Sequence, residues 1–250
     1  MDINYSIEIA RQAGKILKNN FGKSLTVSSK DKKGLLTEAD LKSEKFIISK
    51  ILEKFPNHSI LSEEKGLVNG SNDFKWIIDP LDGTTNFAFN LPYFSVSMAL
   101  VHKKQTILGI TYNPITDELF FAEKNKGAYL NSRRMSVSKR RELINSVIIL
   151  NKSYESFSDL FKKTSRLSDN VLTIRIFGAT SLDLCQVALG KADGLINLEA
   201  ESWDHAAGAL IAGEAGALML DLMGRKIVAD KKQSLVVSNP SIFSQIWSNL

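Results

Sequence analysis

Asp79 and Asp82 stand three residues apart in Trp76-Ile77-Ile78-Asp79-Pro80-Leu81-Asp82-Gly83-Thr84-Thr85, at the point where an apolar run breaks. Lys75 to Ile78 reads as a short buried strand whose ladder ends at Pro80. Gly83 and the two threonines can then open a helix whose first N–H groups attract anions. Carboxylates beside an anion pocket require a cation, and hard oxygen donors without nearby His or Cys match magnesium better than manganese or calcium. A plainer reading is equally open from this stretch alone: Asp79 starts a turn and Asp82 caps a helix. Acidic residues recur at breaks elsewhere. Ile60-Leu61-Ser62-Glu63-Glu64-Lys65-Gly66 ends a strand-like run in paired carboxylates, and Ser202-Trp203-Asp204-His205-Ala206-Ala207-Gly208 puts Asp204 at the start of a small-residue helix. Three acidic clusters could converge on one site.

Helices and strands must carry those clusters to one place. Ile7, Ala10, Ala13, Gly14 and Leu17 recur at helical spacing, predicting an N-terminal helix that ends near Asn19. Thr37 is the expected N-cap of a second helix over Asp40 to Phe55, its apolar side marked by Leu41, Glu44, Ile48, Ile51 and Leu52. Phe94 to Val101, Thr106 to Tyr112, Glu118 to Glu123 and Gly127 to Leu130 read as successive antiparallel strands joined by turns at Asn113-Pro114 and Asn125-Lys126-Gly127. After Ser146 strands and helices alternate: Val147 to Leu150, helix Tyr154 to Thr164, Val171 to Ile174, helix Thr180 to Leu189, Gly194 to Leu198, helix His205 to Ala215. The expected fold is therefore a layered combination of α+β and α/β, with residues 1–145 and 146–250 as two halves of one compact catalytic unit. The acidic clusters fall at the seam.

Composition is that of an ordinary globular chain: 250 residues, 44% hydrophobic and 24% charged, enough for a large core. No apolar run reaches the roughly 18 residues of a spanning helix, and Met1-Asp2-Ile3-Asn4-Tyr5 lacks the basic-then-apolar opening of a signal peptide. A cytoplasmic enzyme with no membrane partner is expected. The single Cys185 sits in an apolar helical context and reads as core packing. The chain is basic, 32 Lys plus Arg against 27 Asp plus Glu. Its runs, Lys30-Asp31-Lys32-Lys33 and Lys139-Arg140-Arg141, lack interleaved aromatics, so they read as solvated loops that draw in anionic substrates and not as a nucleic-acid surface.

Four segments in order, Leu36-Thr37-Glu38-Ala39-Asp40, Ser62-Glu63-Glu64, Asp79-Pro80-Leu81-Asp82-Gly83-Thr84-Thr85-Asn86-Phe87 and Trp203-Asp204-His205-Ala206-Ala207-Gly208, resemble the inositol monophosphatases over nearly the whole chain. The resemblance implies an αβαβα sandwich of the sugar-phosphatase type. It implies a magnesium-dependent, lithium-sensitive phosphomonoesterase that uses two or three Mg2+ ions and is commonly a homodimer. Myo-inositol 1-phosphate is the first-choice substrate. Fructose 1,6-bisphosphate, histidinol phosphate and 3'-phosphoadenosine 5'-phosphate are alternatives, as is an RNA- or protein-binding accessory on the same fold.

By position, the resemblance implies that Glu63, Asp79 and the Leu81 carbonyl hold one ion, and Asp79, Asp82 and Asp204 a second, with Glu63 serving a weaker third. Thr84 and Asp40 would orient the attacking water, with Glu63 also in the catalytic set. Gly83 and Thr84 N–H groups would hold the phosphate, and Glu64 would steady the ligands from behind. Arg175, Gly178, Ala179, Thr180, Asn197 and Asp204 would contact the substrate body, with Asp183 a turn beyond. Trp203 is expected as a packing anchor and His205 as a surface or helix-start residue. Two departures bear on substrate: Asn197 stands where inositol-specific members carry a glutamate, and Ala217 replaces a glycine. Thr85-Asn86-Phe87 differs from the Lys-Glu-Phe of the phosphoadenosine branch.

Overall fold

The computed structural model describes residues 3–23, 27–29, 35–151 and 156–250. The basic run at residues 30–33 and the expected helix start at Tyr154 lie outside them. In chain order the elements are α1 (Ile3–Asn20), β1 (Val27–Ser29), β2 (Leu35–Thr37), α2 (Glu38–Lys54), β3 (Ser59–Ser62), β4 (Gly66–Val68), β5 (Phe74–Asp82), α3 (Thr84–Ala88), β6 (Ser95–His102), β7 (Gln105–Asn113), β8 (Glu118–Glu123), β9 (Ala128–Leu130) and β10 (Arg133–Arg134). Then come β11 (Val147–Asn151), α4 (Phe157–Ser168), β12 (Thr173–Arg175), α5 (Thr180–Ala188), β13 (Gly194–Ala200), α6 (Ser202–Glu214), β14 (Leu218–Leu220), β15 (Gln233–Ser238) and α7 (Phe243–Trp247).

Among the described residues the strands form a β1–β2 hairpin, an eight-stranded sheet in the order β10-β9-β8-β7-β6-β5-β3-β4, and a five-stranded sheet in the order β12-β11-β13-β15-β14. The first sheet is antiparallel except where β3 runs parallel to β5. In the second, β12, β11 and β13 are parallel, and β15 runs antiparallel to both its neighbours, β13 and β14. The antiparallel run from β6 to β9 and the later strand–helix alternation are as the sequence predicts. β14, β15 and α7 go beyond it.

Both sheets are covered on both faces, and the strand period of two shows how. On β5, Trp76 and Ile78 enter the core under α1 and α2, while Ile77 faces Ala206 and Ala207 of α6. On β6, Val96, Met98 and Leu100 take the first side and Ala99 and Val101 the second. In the other sheet Ile148, Leu150, Ile196 and Val236 pack with Leu160 of α4 and Ile246 of α7, whereas Ile149, Leu195, Leu235 and Val237 pack with Leu184 of α5 and Ile211 of α6. The layers are thus α1/α2, sheet, α5/α6, sheet, α4/α7, the αβαβα sandwich. Each fully buried Ile or Met contributes roughly 1.5–3 kcal/mol, so β5 is a rigid platform for whatever its end carries. Gly109 permits the close central contact, because a Cβ there would lie 2.6 Å from the Ala207 carbonyl oxygen of α6.

Three local readings are corrected. Pro80 does not end the β5 ladder: the strand runs on to Asp82 through a register shift between Asp79 and Asp82. Leu41 is 48% exposed, and the buried face of α2 is instead Ala39, Asp40, Ser43, Glu44, Ile47, Ile48 and Ile51. The helix expected to close at Thr164 runs from Phe157 to Ser168 behind the N-cap Ser156, whose side chain accepts from Asp159 N–H.

Candidate active site

In a regular strand, residues three apart point to opposite faces. Asp79 and Asp82 escape this because Asp79 pairs with Ser97 and Asp82 with Ser95 across β6, so the interval of three on β5 spans only two on its neighbour. The bulge places Asp79 and Asp82 on one face. Ser97 donates to the Trp203 carbonyl of α6 (3.4 Å) and Ser95 is hydrogen-bonded to Ser181 of α5 (2.9 Å), which identifies that face as the one toward the central helices.

Each aspartate is fixed by backbone donors. Asp79 Oδ1 accepts from Leu81 N–H at 2.9 Å. Asp82 Oδ2 accepts from Ser181 N–H at 2.9 Å and from the Ser181 hydroxyl, so a residue of β5 caps the N-terminus of α5, 99 positions away. Asp204 Oδ2 accepts from Glu201 N–H at 3.0 Å in the first turn of α6. Burial drives the Asp79 carboxyl well above the usual carboxylate range, and Glu63, Asp82 and Asp204 push it further. Burial also raises Asp82, to about 6, against the opposing hydrogen bonds from Ser181, with Glu63 adding to the rise. Asp204 is raised well above its ordinary value by desolvation, then by Asp82 and Glu63. Glu63, Asp79, Asp82 and Asp204 therefore share one electrostatic neighbourhood, and none of the strongest influences on the three aspartates is a basic side chain. Among the described residues no group of three or more His, Cys, Asp or Glu side chains is gathered into a finished metal-binding cluster. The donor chemistry, carboxylates plus the Leu81 carbonyl, nonetheless fits a hard divalent cation.

Gly83 adopts φ +91°, a left-handed turn favouring glycine, as N-cap of α3. A Cβ there would also sit 3.0 Å from the Tyr93 carbonyl oxygen and 3.1 Å from Ala179 Cβ. The Thr84 hydroxyl lies 3.0 Å from the Leu81 carbonyl oxygen and 3.3 Å from Asp40 Oδ1. Asp40 is fully buried, its other oxygen accepting from Thr37 N–H (2.9 Å) and the Thr37 hydroxyl in a capping box. Glu63 and Glu64 sit in the turn after β3, which Glu44 of α2 grips by accepting from Glu64 N–H (3.1 Å), Lys65 N–H (2.9 Å) and the Ser62 hydroxyl. Ser43 of α2 donates to the Pro80 carbonyl at 2.9 Å, tying the same helix to the β5 bulge.

The residues expected to contact substrate divide. Gly178 is exposed with φ +81°, while Ala179 and Thr180 are buried at the start of α5. Thr180 Oγ1 accepts from Asn151 Nδ2 and Asn197 Nδ2, both at 3.1 Å. Asn197 has no exposed surface, and its Oδ1 accepts from Glu199 N–H (3.0 Å) at the irregularity in β13. Its amide thus braces α5 and β13. Asp183 is also buried, accepting from Tyr93 OH (2.9 Å) and Asn151 Nδ2 (2.8 Å), with burial raising it well above its ordinary range. Arg175 is exposed and donates back to the Ile174 carbonyl. Glu199 and Glu201 stay partly exposed and are bridged by Lys232 at 2.9 and 3.2 Å. Trp203 packs beside Ile77 and Ala207, as an anchor should. His205 is at a helix start but fully buried, against the Lys231 carbonyl at 3.0 Å, and burial lowers it to about 4.

Sequence reasoning missed Ser181, Ser95, Asn151 and Tyr93, whose roles depend on long-range contacts. Glu44 had left a signal: a carboxylate inside the apolar stripe of α2.

The model of the inositol monophosphatase family matches residues 2–249. A protein called Nus factor SuhB from Pasteurella multocida is 35% identical over 254 aligned residues, covering 99% of this chain and 95% of that protein. An inositol-1-monophosphatase of Caulobacter vibrioides is 37% identical, with 98% of each chain covered. Among solved structures, the extragenic suppressor protein SuhB of Bartonella henselae superposes with a TM-score of 0.93 at 35% identity, covering 99% of this chain and 97% of that one.

Proposed function

Because the chain belongs to the inositol monophosphatase family, we propose that it is a magnesium-dependent phosphomonoesterase acting on myo-inositol 1-phosphate or a related polyol phosphate. The observation that carries this reading is the register shift in β5 that turns the buried Asp79 and Asp82 to one face, where Glu63 acts on both and Asp204 on Asp79, each raising the cost of ionising without a cation. Glu63, Asp79, Asp82, Asp204 and the Leu81 carbonyl would hold two or three ions. Bound magnesium supplies Lewis-acid polarisation of the phosphoryl group, a lowered pKa for water and neutralisation of the leaving alkoxide.

The chain's own groups do the positioning. Gly83 and Thr84 N–H groups at the start of α3 hold phosphate oxygens, and a side chain at position 83 would strain the left-handed turn that presents them by crowding Tyr93, Phe94 and Ala179. The Thr84 hydroxyl orients a water for attack, taking a proton from it as it gives its own to Asp40 Oδ1, which lies 3.3 Å away on a carboxylate fixed by Thr37. Glu64, in the turn gripped by Glu44, steadies Glu63. Residues from both halves contribute, so the two halves act as one catalytic unit. Gly178 to Thr180 border the substrate body. With Asn197 sealed inside, recognition of hydroxyls passes to the partly exposed Glu199 and Glu201, which supports polyol selectivity looser than a glutamate at position 197 would impose.

A phosphate-release screen over inositol 1-phosphate, fructose 1,6-bisphosphate, histidinol phosphate and 3'-phosphoadenosine 5'-phosphate, with magnesium or with EDTA, tests this. Fastest release from the inositol ester, and none in EDTA, is expected; preference for any of the others overturns the substrate assignment. Relatives called Nus factor SuhB and a net charge of +5 favour one second reading, an RNA- or protein-binding accessory. RNA binding with a steep salt dependence and no phosphate release would establish it.

The same proposal extends to quaternary state and location. Phe89, Leu91, Ile176 and Phe177 are exposed on loops joined by Asn86 Nδ2, which donates to the Phe177 carbonyl at 2.7 Å. This apolar surface supports a homodimer. Light scattering should give twice the chain mass, and a monomer at micromolar protein would refute it. Among the described residues no helix is long and apolar enough to cross a membrane, which is compatible with a cytoplasmic enzyme.

A further inference from the structure

Ser181 gives Asp82 two donors on a single oxygen: its N–H at 2.9 Å and its hydroxyl, both to Oδ2. Ser95 sits directly across the β5–β6 ladder from Asp82, with its hydroxyl oxygen 2.9 Å from that of Ser181. Ser181 and Ser95 have no exposed surface and Asp82 only 6%. A serine hydroxyl carries one proton, and a carboxylate oxygen can only accept. Ser181 therefore spends its proton on Asp82, so Ser95 must donate to Ser181. The result is a one-way chain from β6, through the first turn of α5, to the end of β5.

We propose that Ser181, backed by Ser95, is a positioning residue that sets the direction of Asp82 for divalent-cation binding. With Oδ2 fixed by two donors, the carboxylate plane cannot rotate freely, and the direction of Oδ1 is set with it. The Ser95 hydroxyl polarises that of Ser181 and strengthens its bond to the anion. Partners behind a metal ligand typically change affinity about 10–100-fold when removed. Because two layers of the fold supply the three groups, the first sheet giving Asp82 and Ser95 and α5 giving Ser181, a shift of α5 against that sheet would also change how Asp82 is presented. This inference rests on the reading of Asp82 as a metal ligand.

Mn2+ binding to the whole chain, stripped with EDTA and measured by electron paramagnetic resonance, tests it alongside thermal unfolding in EDTA. Ser181→Ala should raise the Mn2+ dissociation constant about 10-fold or more, Ser95→Ala about 3-fold, and the effect of Ser95→Ala should vanish in the Ser181→Ala background. A merely structural role would lower the unfolding temperature, leave the dissociation constant alone and give additive effects, which overturns the proposal. If Ser181→Ala does not fold, Ser95→Ala decides alone: a weakened Mn2+ site supports the chain, and an unchanged one refutes it. Asp82→Asn separates the two layers of argument. Should that variant keep wild-type Mn2+ binding, the ligand reading itself falls and this inference with it. Should it lose the site while Ser181→Ala keeps it, only the positioning role is wrong.

Discussion

Asp82→Asn in the metal-free protein should be a stabilising substitution at neutral and alkaline pH, although it removes a group assigned to the reaction. The Asp82 carboxyl is raised from 3.8 to about 6 by burial and by Glu63, with the Ser181 bonds already working against the rise. A carboxyl whose folded pKa lies above its unfolded one binds more proton folded than unfolded between those values, so stability falls as pH rises from 3.8 toward 6 and the full cost stays above that. A rise of that size costs roughly 3 kcal/mol once the group is ionised. Asparagine keeps an acceptor for Ser181 and never carries the charge. For a chain of this size each kcal/mol moves the midpoint by about 2–4 °C, so the variant should unfold about 6–12 °C above wild type at pH 8 in EDTA. The gain should shrink below pH 5 and disappear near pH 3.5. Added magnesium should reverse the order, since only wild type gains ligand-linked stability. Differential scanning calorimetry at pH 8 and pH 5, with EDTA or magnesium, measures all four cells. A variant less stable than wild type at pH 8 in EDTA, or equally stabilised by magnesium, refutes the reasoning.

Three further outcomes follow from the same geometry. Thr84→Ala removes the hydroxyl that contacts the Leu81 carbonyl and Asp40, and should cut turnover about 100-fold or more while changing the Mn2+ dissociation constant less than about 3-fold; equal losses in both would deny it a water-orienting role. Burial lowers His205 from 6.5 to about 4, so the folded state favours its neutral form and stability should decline as pH falls from 6.5 toward 4; His205→Gln, which can still donate to the Lys231 carbonyl, should flatten that limb by up to roughly 3 kcal/mol, and an unchanged acid limb would contradict the assignment. Millimolar lithium should inhibit phosphate release in competition with magnesium, and insensitivity would argue against a magnesium site of the proposed kind.

The sequence made the acidic clusters visible because Asp79, Asp82, Glu63 and Asp204 each interrupt an apolar run. It could not show why the first two cooperate. Residues three apart diverge on a strand, and only the register shift opposite Ser95 and Ser97 turns them to one face. A proline read as the end of the ladder sits within that irregularity instead. Long strands and helices were legible through their periodicity, as in β6 and α1, because both faces or one whole stripe are buried. Short edges such as β14 carry too few residues to show a period. The remaining gaps are long-range by nature: Ser181 is unremarkable beside its neighbours, and its meaning appears only when α5 meets β5. Asn197 likewise reads, by resemblance, as a substrate contact, whereas the structure buries it between Thr180 and Glu199. Glu44 was legible as a charge in an apolar stripe, and such a residue signals a buried acceptor needing donors.

Crystals grown with manganese and measured at its absorption edge would test the whole reading most directly. Strong anomalous peaks should lie within coordination distance of Asp79, Asp82, Glu63 and Asp204, with Asp79 shared between two of them. Full manganese occupancy elsewhere, with these four carboxylates bare while the same crystals release phosphate from inositol 1-phosphate, would contradict it.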